Sequence, residues 1–275
     1  MSDPRLTPAN ARVMADHLPE DDSGRARVTP VAMQVAWPLV DLLRTSDGPR
    51  ERQLLLGDAV DVLERHDGMA FVQARKDGYV GYVPEEALEP DAPASHLVSA
   101  PATHLYEKAD LKSPDLATLS FGTRVAVTDQ QDDFAATAFG FIPVQHLQPV
   151  DQPFDDPVSV AQLFLGTPYL WGGNSRAGID CSGLVQAACL ACGIPCPGDS
   201  DLQQSTLGQP VPDGEPPQRG DLLFWKGHVA WVAGPDLILH ANAHTMSTNF
   251  EGLQTAIARI QAAGDGPMTA HKRLR

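Results

Sequence analysis

The sequence predicts an α+β chain: small all-β units come first, and a domain in which helices meet an antiparallel sheet follows. Three observations predict it. The stretch LLLGDAVDVLERHDGMAFVQA (54–74) is echoed by LSFGTRVAVTDQQDDFAATAF (119–139), and the copies close on GYVGYVPEEALEP (78–90) and GFIPVQHLQP (140–149). Beyond DQPFDDPVSV (151–160) the pattern turns to helical spacing and then to three short strands divided by Gly and Pro turns. The 24 prolines and 23 glycines among 275 residues fit a turn-rich chain of several β units.

Taken in order, residues 1–28 read as an arm or irregular lead-in ending in the charged stretch PEDDSGRAR. Each repeat copy is a small-residue turn, an alternating strand, a charged turn, a second strand and a Pro-led close. That is the pattern of a small barrel, placed at 29–92 and again at 93–150. A third domain fills 151–275, an ordinary length for a compact unit. The polar, proline-broken start lacks the basic head and apolar run of a leader, so a cytoplasmic location is expected. No apolar run suggests a membrane span. A net charge of −15 argues against nucleic acid as a partner, and by the same repulsion against a polyanionic envelope polymer. Four cysteines in such a chain do not make a disulfide scaffold.

All four cysteines lie in GIDCSGLVQAACLACGIPCPGD (178–199). The first helix of the domain runs from Val158 to Leu165, and a Gly/Pro/aromatic loop follows. Asp180 stands where an N-cap carboxylate accepts backbone N–H bonds. A helix then spans Cys181 to Cys192 and stops at Gly193, with Pro195 just beyond. Cys181 therefore sits in a first turn, where the helix dipole favours thiolate over thiol. Cys189 and Cys192 lie in the last turns of an apolar helix and read as packing, with Cys196 as a loop thiol. A zinc half-site would need a fourth ligand in a polar setting, so no metal is expected. A nucleophilic thiolate needs a base, and GDLLFWKGHVAWVAGPDLILHANAH (220–244) supplies candidates. It reads as strands Asp221–Trp225, His228–Val232 and Leu237–Ala241. His228 opens one strand and His240 nears the end of its partner, so the two rings can be neighbours. His228 then faces the thiolate and His240 orients it, with His244 as the fallback orienter.

The segments GTPYLWGGNSRAGIDCSGLVQ, RGDLLFW and GHVAWV resemble the NlpC/P60 family of papain-like cysteine peptidases over about residues 155–272. The resemblance implies a nucleophile-bearing helix packed on an antiparallel sheet and a triad of Cys181, His228 and His240. It also implies backbone N–H groups around Cys181 for the oxyanion, and no cofactor. The two barrels resemble bacterial SH3-like domains. The whole layout is similar to the YkfC-type γ-D-glutamyl-L-diamino acid endopeptidases, which cut small murein peptides, L-Ala-γ-D-Glu-diamino acid, when L-Ala has a free N-terminus. That group's PRDS segment appears here as PGDS (197–200), so Asp199 is expected to meet the substrate ammonium. Ser182, Ser200 and Trp171 are expected to line the pocket, with Tyr79, chosen over Tyr82, as a wall from the first barrel. Gly198 replaces the group's arginine, which bears on how the substrate carboxylate is held. The competing readings are a hydrolase of intact peptidoglycan anchored by SH3-like domains, a non-catalytic SH3-type binding protein, and a thiol acyltransferase.

Overall fold

A computed structural model describes residues 3–19, 22 and 24–274. Residues 20, 21 and 23, in the charged stretch that closes the expected arm, lie outside the described residues. The chain divides into two compact units, Met1–Asp151 and Gln152–Arg275.

In the first unit, seven antiparallel strands form one curled sheet. Their order is Arg50–Leu55, Leu39–Leu43, Val80–Pro84, Met69–Ala74, Ala59–His66, Val31–Val35 and Leu88–Pro90. Alternation sends Val60, Val62, Val72 and Val83 inward, onto Val35, Leu42 and Leu54. The central hairpin turns at Asp67 and Gly68, with φ values of 50° and 75°. Two consecutive left-handed residues are what a two-residue turn matched to strand twist requires, and the Asp-Gly pair supplies them.

The lead-in has structure of its own. Val13–Ala15 pairs in parallel with Ala26–Val28, and Val13 and Ala15 pack onto Leu63 and Phe71. Three-residue strands gain little by themselves. Their stability comes from burial against the barrel, which no local pattern announces.

The second repeat copy diverges from the first. The long strand of the first copy corresponds here to two pieces, Arg124–Val125 and Asp129–Gln131. The former pairs with His96–Val98 in a three-stranded sheet, the latter with Phe134–Thr137 in a five-stranded one. The chain thus changes sheets at a corner. Leu56 of the first barrel lies in the second core with Val98, Leu105, Leu119 and Val125, and its carbonyl accepts from Arg124 N–H at 3.1 Å.

The second unit is a six-stranded antiparallel sheet with helices α1 (Pro157–Gln162), α2 (Cys181–Ala191), α3 (Ser200–Thr206) and α4 (Leu253–Ala262). The strand order is Gln209–Pro210, Ala270–Arg273, Asp221–Trp225, His228–Gly234, Leu237–Asn242 and Ser247–Gly252. Helix α1 starts at Pro157 behind an Asp156 cap and stops three residues short of the expected Leu165, because the chain tightens into turns from Leu163. Helix α4 packs Leu253, Ala256 and Ile260 onto Leu223, Trp225, Ala230, Val232 and Ile238. Among the described residues no helix is long and apolar enough to cross a membrane.

Candidate active site

The site begins with the cap of α2. Asp180 Oδ1 accepts from Gly183 N–H at 2.6 Å and from Ser182 Oγ at 2.9 Å, and Oδ2 accepts from Gly172 N–H at 2.8 Å. One carboxylate therefore fixes both the helix start and the preceding loop. The glycines of that loop are close-approach residues. A Cβ on Gly183 would lie 2.5 Å from the Gly173 carbonyl oxygen, and one on Gly173 would lie 2.5 Å from that of Gly178. The spacing WGG…DCSG follows from this contact, since any side chain would push α2 off the loop.

Cys181 is buried, 6% exposed, with Sγ 4.0 Å from the carbonyl of Gly227, the residue before His228. The nucleophile candidate thus lies where the turn of Lys226 and Gly227 delivers the His228 strand. Trp231 pairs with Leu239, so His228 and His240 share one face and stand diagonally across adjacent strands. His228 Nε2 lies 2.9 Å from His240 Nδ1, and Trp225 flanks the His228 ring at 5.8 Å between centroids. His244 is exposed in the turn beyond. Burial pushes His228 down to about 3, helped by the neighbouring His240 and Arg259 and opposed by Glu251. Burial likewise pushes His240 down to about 4, with Glu251 opposing. Both rings are neutral at rest near pH 7.

The other predicted site residues of this unit gather around the same helix start. Ser182 is buried and committed to Asp180. Trp171 is 55% exposed at the rim, next to Gly172. Asp199 occupies the N-cap position of α3, with no capping bond from its side chain, and Ser200 opens that helix. Gln203, fully buried, ties this segment to the nucleophile: its Nε2 donates to the carbonyls of Ser182 at 2.9 Å and Pro197 at 3.0 Å. Gln186 adds a bond to the Cys196 carbonyl at 3.2 Å. Tyr79 belongs to the first unit, where it is 2% exposed among the barrel core, its hydroxyl 3.4 Å from Glu51 Oε2.

Three residues escaped the sequence reading. Tyr169 is half-buried, and burial together with the charges of Cys181 and Asp180 raises its phenol well above the ordinary range. Its signal was the aromatic residue in PYLWGG. Gln203 had none beyond lying in a short helix. Glu251, 3.1 Å from His240 Nε2, sits on the next strand, and only the register of that pairing turns it towards His240.

The remaining thiols sit apart from this chemistry. Cys189 is fully buried and its thiol is pushed up by a hydrogen bond with Cys196 and by burial. Burial pushes Cys192 up to about 11. Cys196, read from sequence as a loop thiol, turns inward and is 3% exposed. None of the four cysteines is in a disulfide, and among the described residues no group of three or more His, Cys, Asp or Glu is placed to hold a metal ion.

Comparisons with known proteins agree with this layout. A profile of the NlpC/P60 family matches residues 166–260, and one for the bacterial dipeptidyl-peptidase SH3 domain matches residues 42–88. A gamma-D-glutamyl-L-lysine dipeptidyl-peptidase of Bacillus subtilis (strain 168) is 32% identical over 223 residues, 71% of this chain and 73% of that protein. A protein of the same name from Bacillus cereus is 28% identical over 245 residues, 77% and 73% of the two chains. The fold matches a crystal structure of an NlpC/P60 family protein from Bacillus cereus with a TM-score of 0.74 at 21% identity, over 88% of this chain and 99% of that one. With the fold, the capped cysteine helix and the sequence relatives in agreement, the chain belongs to the NlpC/P60 family of cysteine peptidases and carries a bacterial SH3 domain ahead of its peptidase domain.

Proposed function

We propose that this peptidase hydrolyses the γ-D-glutamyl–L-diamino acid bond of small murein peptides whose L-Ala has a free N-terminus, as a step in cell-wall peptide recycling. The observation that carries the reading is the Gln203 clamp, which holds the segment bearing Asp199 against the residue after Cys181. A carboxylate on a segment tied to the nucleophile's helix suits a substrate whose ammonium lies a short, fixed distance from its scissile carbonyl. The two Bacillus relatives carry a name for chemistry on γ-D-glutamyl-L-lysine bonds. The net charge of −15 fits a small free peptide better than an anionic wall polymer.

In this reading Cys181 Sγ attacks the γ-carbonyl carbon of D-Glu after passing its proton to His228. Backbone N–H groups of the first turn of α2 receive the oxyanion, since that turn has no intrahelical acceptor for them. His228 then protonates the departing amine of the diamino acid, leaving a thioester on Cys181. Water, deprotonated by His228, releases L-Ala-γ-D-Glu and restores the thiol. His240 orients His228, while Ser182, Ser200 and Trp171 border the subsite of Asp199.

The test is incubation of the full chain with L-Ala-γ-D-Glu-diamino acid, free and N-acetylated, with products identified by mass. Acetylation deletes one partner of a desolvated charge pair and should lower kcat/KM by at least about a hundredfold. Asp199→Asn should mostly raise KM for the free peptide. Equal cleavage of both peptides, or release of fragments from intact sacculi, would overturn the recycling reading.

A further inference from the structure

We infer that Glu251, clamped by Arg259, is a positioning residue of this peptidase: its carboxylate sets the tautomer of His240 and, through it, leaves Nδ1 of His228 as the base for Cys181. The inference rests on the triad reading above and deepens it.

Glu251 pairs with Ile238 across the strands, and His240 pairs with Asn249, so Glu251 stands diagonal to His240 on the same face. The same diagonal offset relates His240 to His228. Three strands thus step the side chains in line, and α4 closes the line with Arg259. Glu251 Oε2 lies 3.1 Å from His240 Nε2, while Arg259 Nε and Nη2 donate to Glu251 Oε1 and Oε2 at 2.9 and 2.7 Å. The bidentate guanidinium keeps the carboxylate ionised and below its usual range.

An ionised carboxylate only accepts. The proton of neutral His240 therefore belongs on Nε2, and its Nδ1 carries a lone pair. At 2.9 Å from that lone pair, His228 Nε2 must be the N–H donor. Nδ1 of His228 is then the unprotonated nitrogen, available to the thiol. When it takes the proton from Cys181, the pair holds one positive charge where His240 has no solvent exposure at all. The charged groups facing it are Glu251 from its strand and Arg259 from α4, with Asp265 acting on Arg259, and in this reading the thiolate that Cys181 leaves behind joins them. At rest the Glu251 contact falls short of a well-aligned hydrogen bond. Catalytic hydrogen bonds commonly tighten only once charge develops.

A merely structural clamp between strand and helix makes a different prediction from a positioning carboxylate, and the sign of one shift separates them. The experiment measures kcat and KM on the tripeptide, and the pH dependence of Cys181 alkylation by iodoacetamide, which needs no substrate. Glu251→Gln keeps the size and a bond to Arg259 but can offer His240 an N–H. Its kcat should fall by about 10–100-fold with KM within about twofold. Its alkylation midpoint should rise by about one pH unit. Glu251→Asp should recover part of both. Arg259→Met removes the cation but leaves the carboxylate, so its midpoint should hold or move down, where a structural clamp predicts the same upward shift as Glu251→Gln. Wild-type alkylation and kcat in Glu251→Gln, or equal upward shifts in both variants, overturn the inference. His240→Ala is the control for the reading beneath it, since Asn could still orient the ring: if His240→Ala is silent in both assays the triad itself fails, and if it is impaired while Glu251→Gln is not, only the inference fails.

Discussion

Helix α2 holds a buried cysteine near each end, Cys181 at 6% exposure and Cys189 at zero. Near the first lie the Asp180 cap, the phenol of Tyr169 and the turn leading to His228. Around the second lie Cys196 and apolar packing, and there a hydrogen bond with Cys196 and burial push the thiol up. Burial alone, then, does not distinguish nucleophile from filler. What differs is the polarity of the helix end and the presence of a proton acceptor. A first turn offers unpaired N–H groups to a thiolate, while the last turns offer carbonyls, which repel one.

The largest expected effect tests the first end directly. Cys181→Ala should lower tripeptide turnover by at least about a thousandfold without moving the melting temperature, read by hydrolysis and circular dichroism. If Cys189→Ala or Cys196→Ala removed turnover equally in a folded protein, the contrast between the ends would be void.

Selective labelling sharpens the same contrast. Brief iodoacetamide treatment of native protein at pH 7 should mark Cys181 roughly a hundredfold faster than Cys192, whose thiol burial holds at about 11. Peptide mapping reads the ratio, and Cys189 and Cys196 should label only on unfolding. Comparable rates at Cys181 and Cys192 would mean that the helix start confers no reactivity.

Burial that silences Cys189 also acts on His240, with a pH signature. Its folded value of about 4 lies below the ordinary imidazole value of about 6.5 that the unfolded chain shows. Above pH 6.5 neither state binds the proton, and the stability is intact. As pH falls towards 4 the unfolded chain takes up a proton that the folded chain refuses, and stability drops by up to about 1.4 kcal/mol per pH unit. His228, pushed down to about 3, adds a loss of the same sign; urea midpoints at pH 7 and pH 5 check this, and His240→Asn should remove about half of the difference. An unchanged slope in that variant would locate the acid sensitivity elsewhere.

The smallest effect belongs to the filler end. Cys189→Ala should cost roughly 1–2 kcal/mol of stability, by losing a buried sulfur, with KM unchanged. A KM shift would show that the Cys196 segment transmits strain to Asp199.

Much of the site was legible because its determinants are local. A cap carboxylate before a helix, a glycine after it and turns two residues long act within a few positions, so the start of α2 at Cys181, its stop before Gly193 and the strands beginning at Asp221, His228 and Leu237 could be read directly. The short α1 and the break in the second repeat copy could not be, because the chain there answers to neighbouring sheets and not to its own pattern.

By itself the sequence determined the order of units, the capped helix start that makes Cys181 unlike Cys189, and the pair of histidines set one strand apart. Only the tertiary structure decided which groups complete the line, namely Tyr169 beside Cys181, Gln203 between α3 and Ser182, and Glu251 with Arg259 behind His240. The physical reason is register. Capping and turn formation are fixed by residues within one helical turn, whereas a side chain's cross-strand neighbour depends on the pairing of strands and the packing of a helix on them, and a shift of one residue would turn Glu251 to the opposite face.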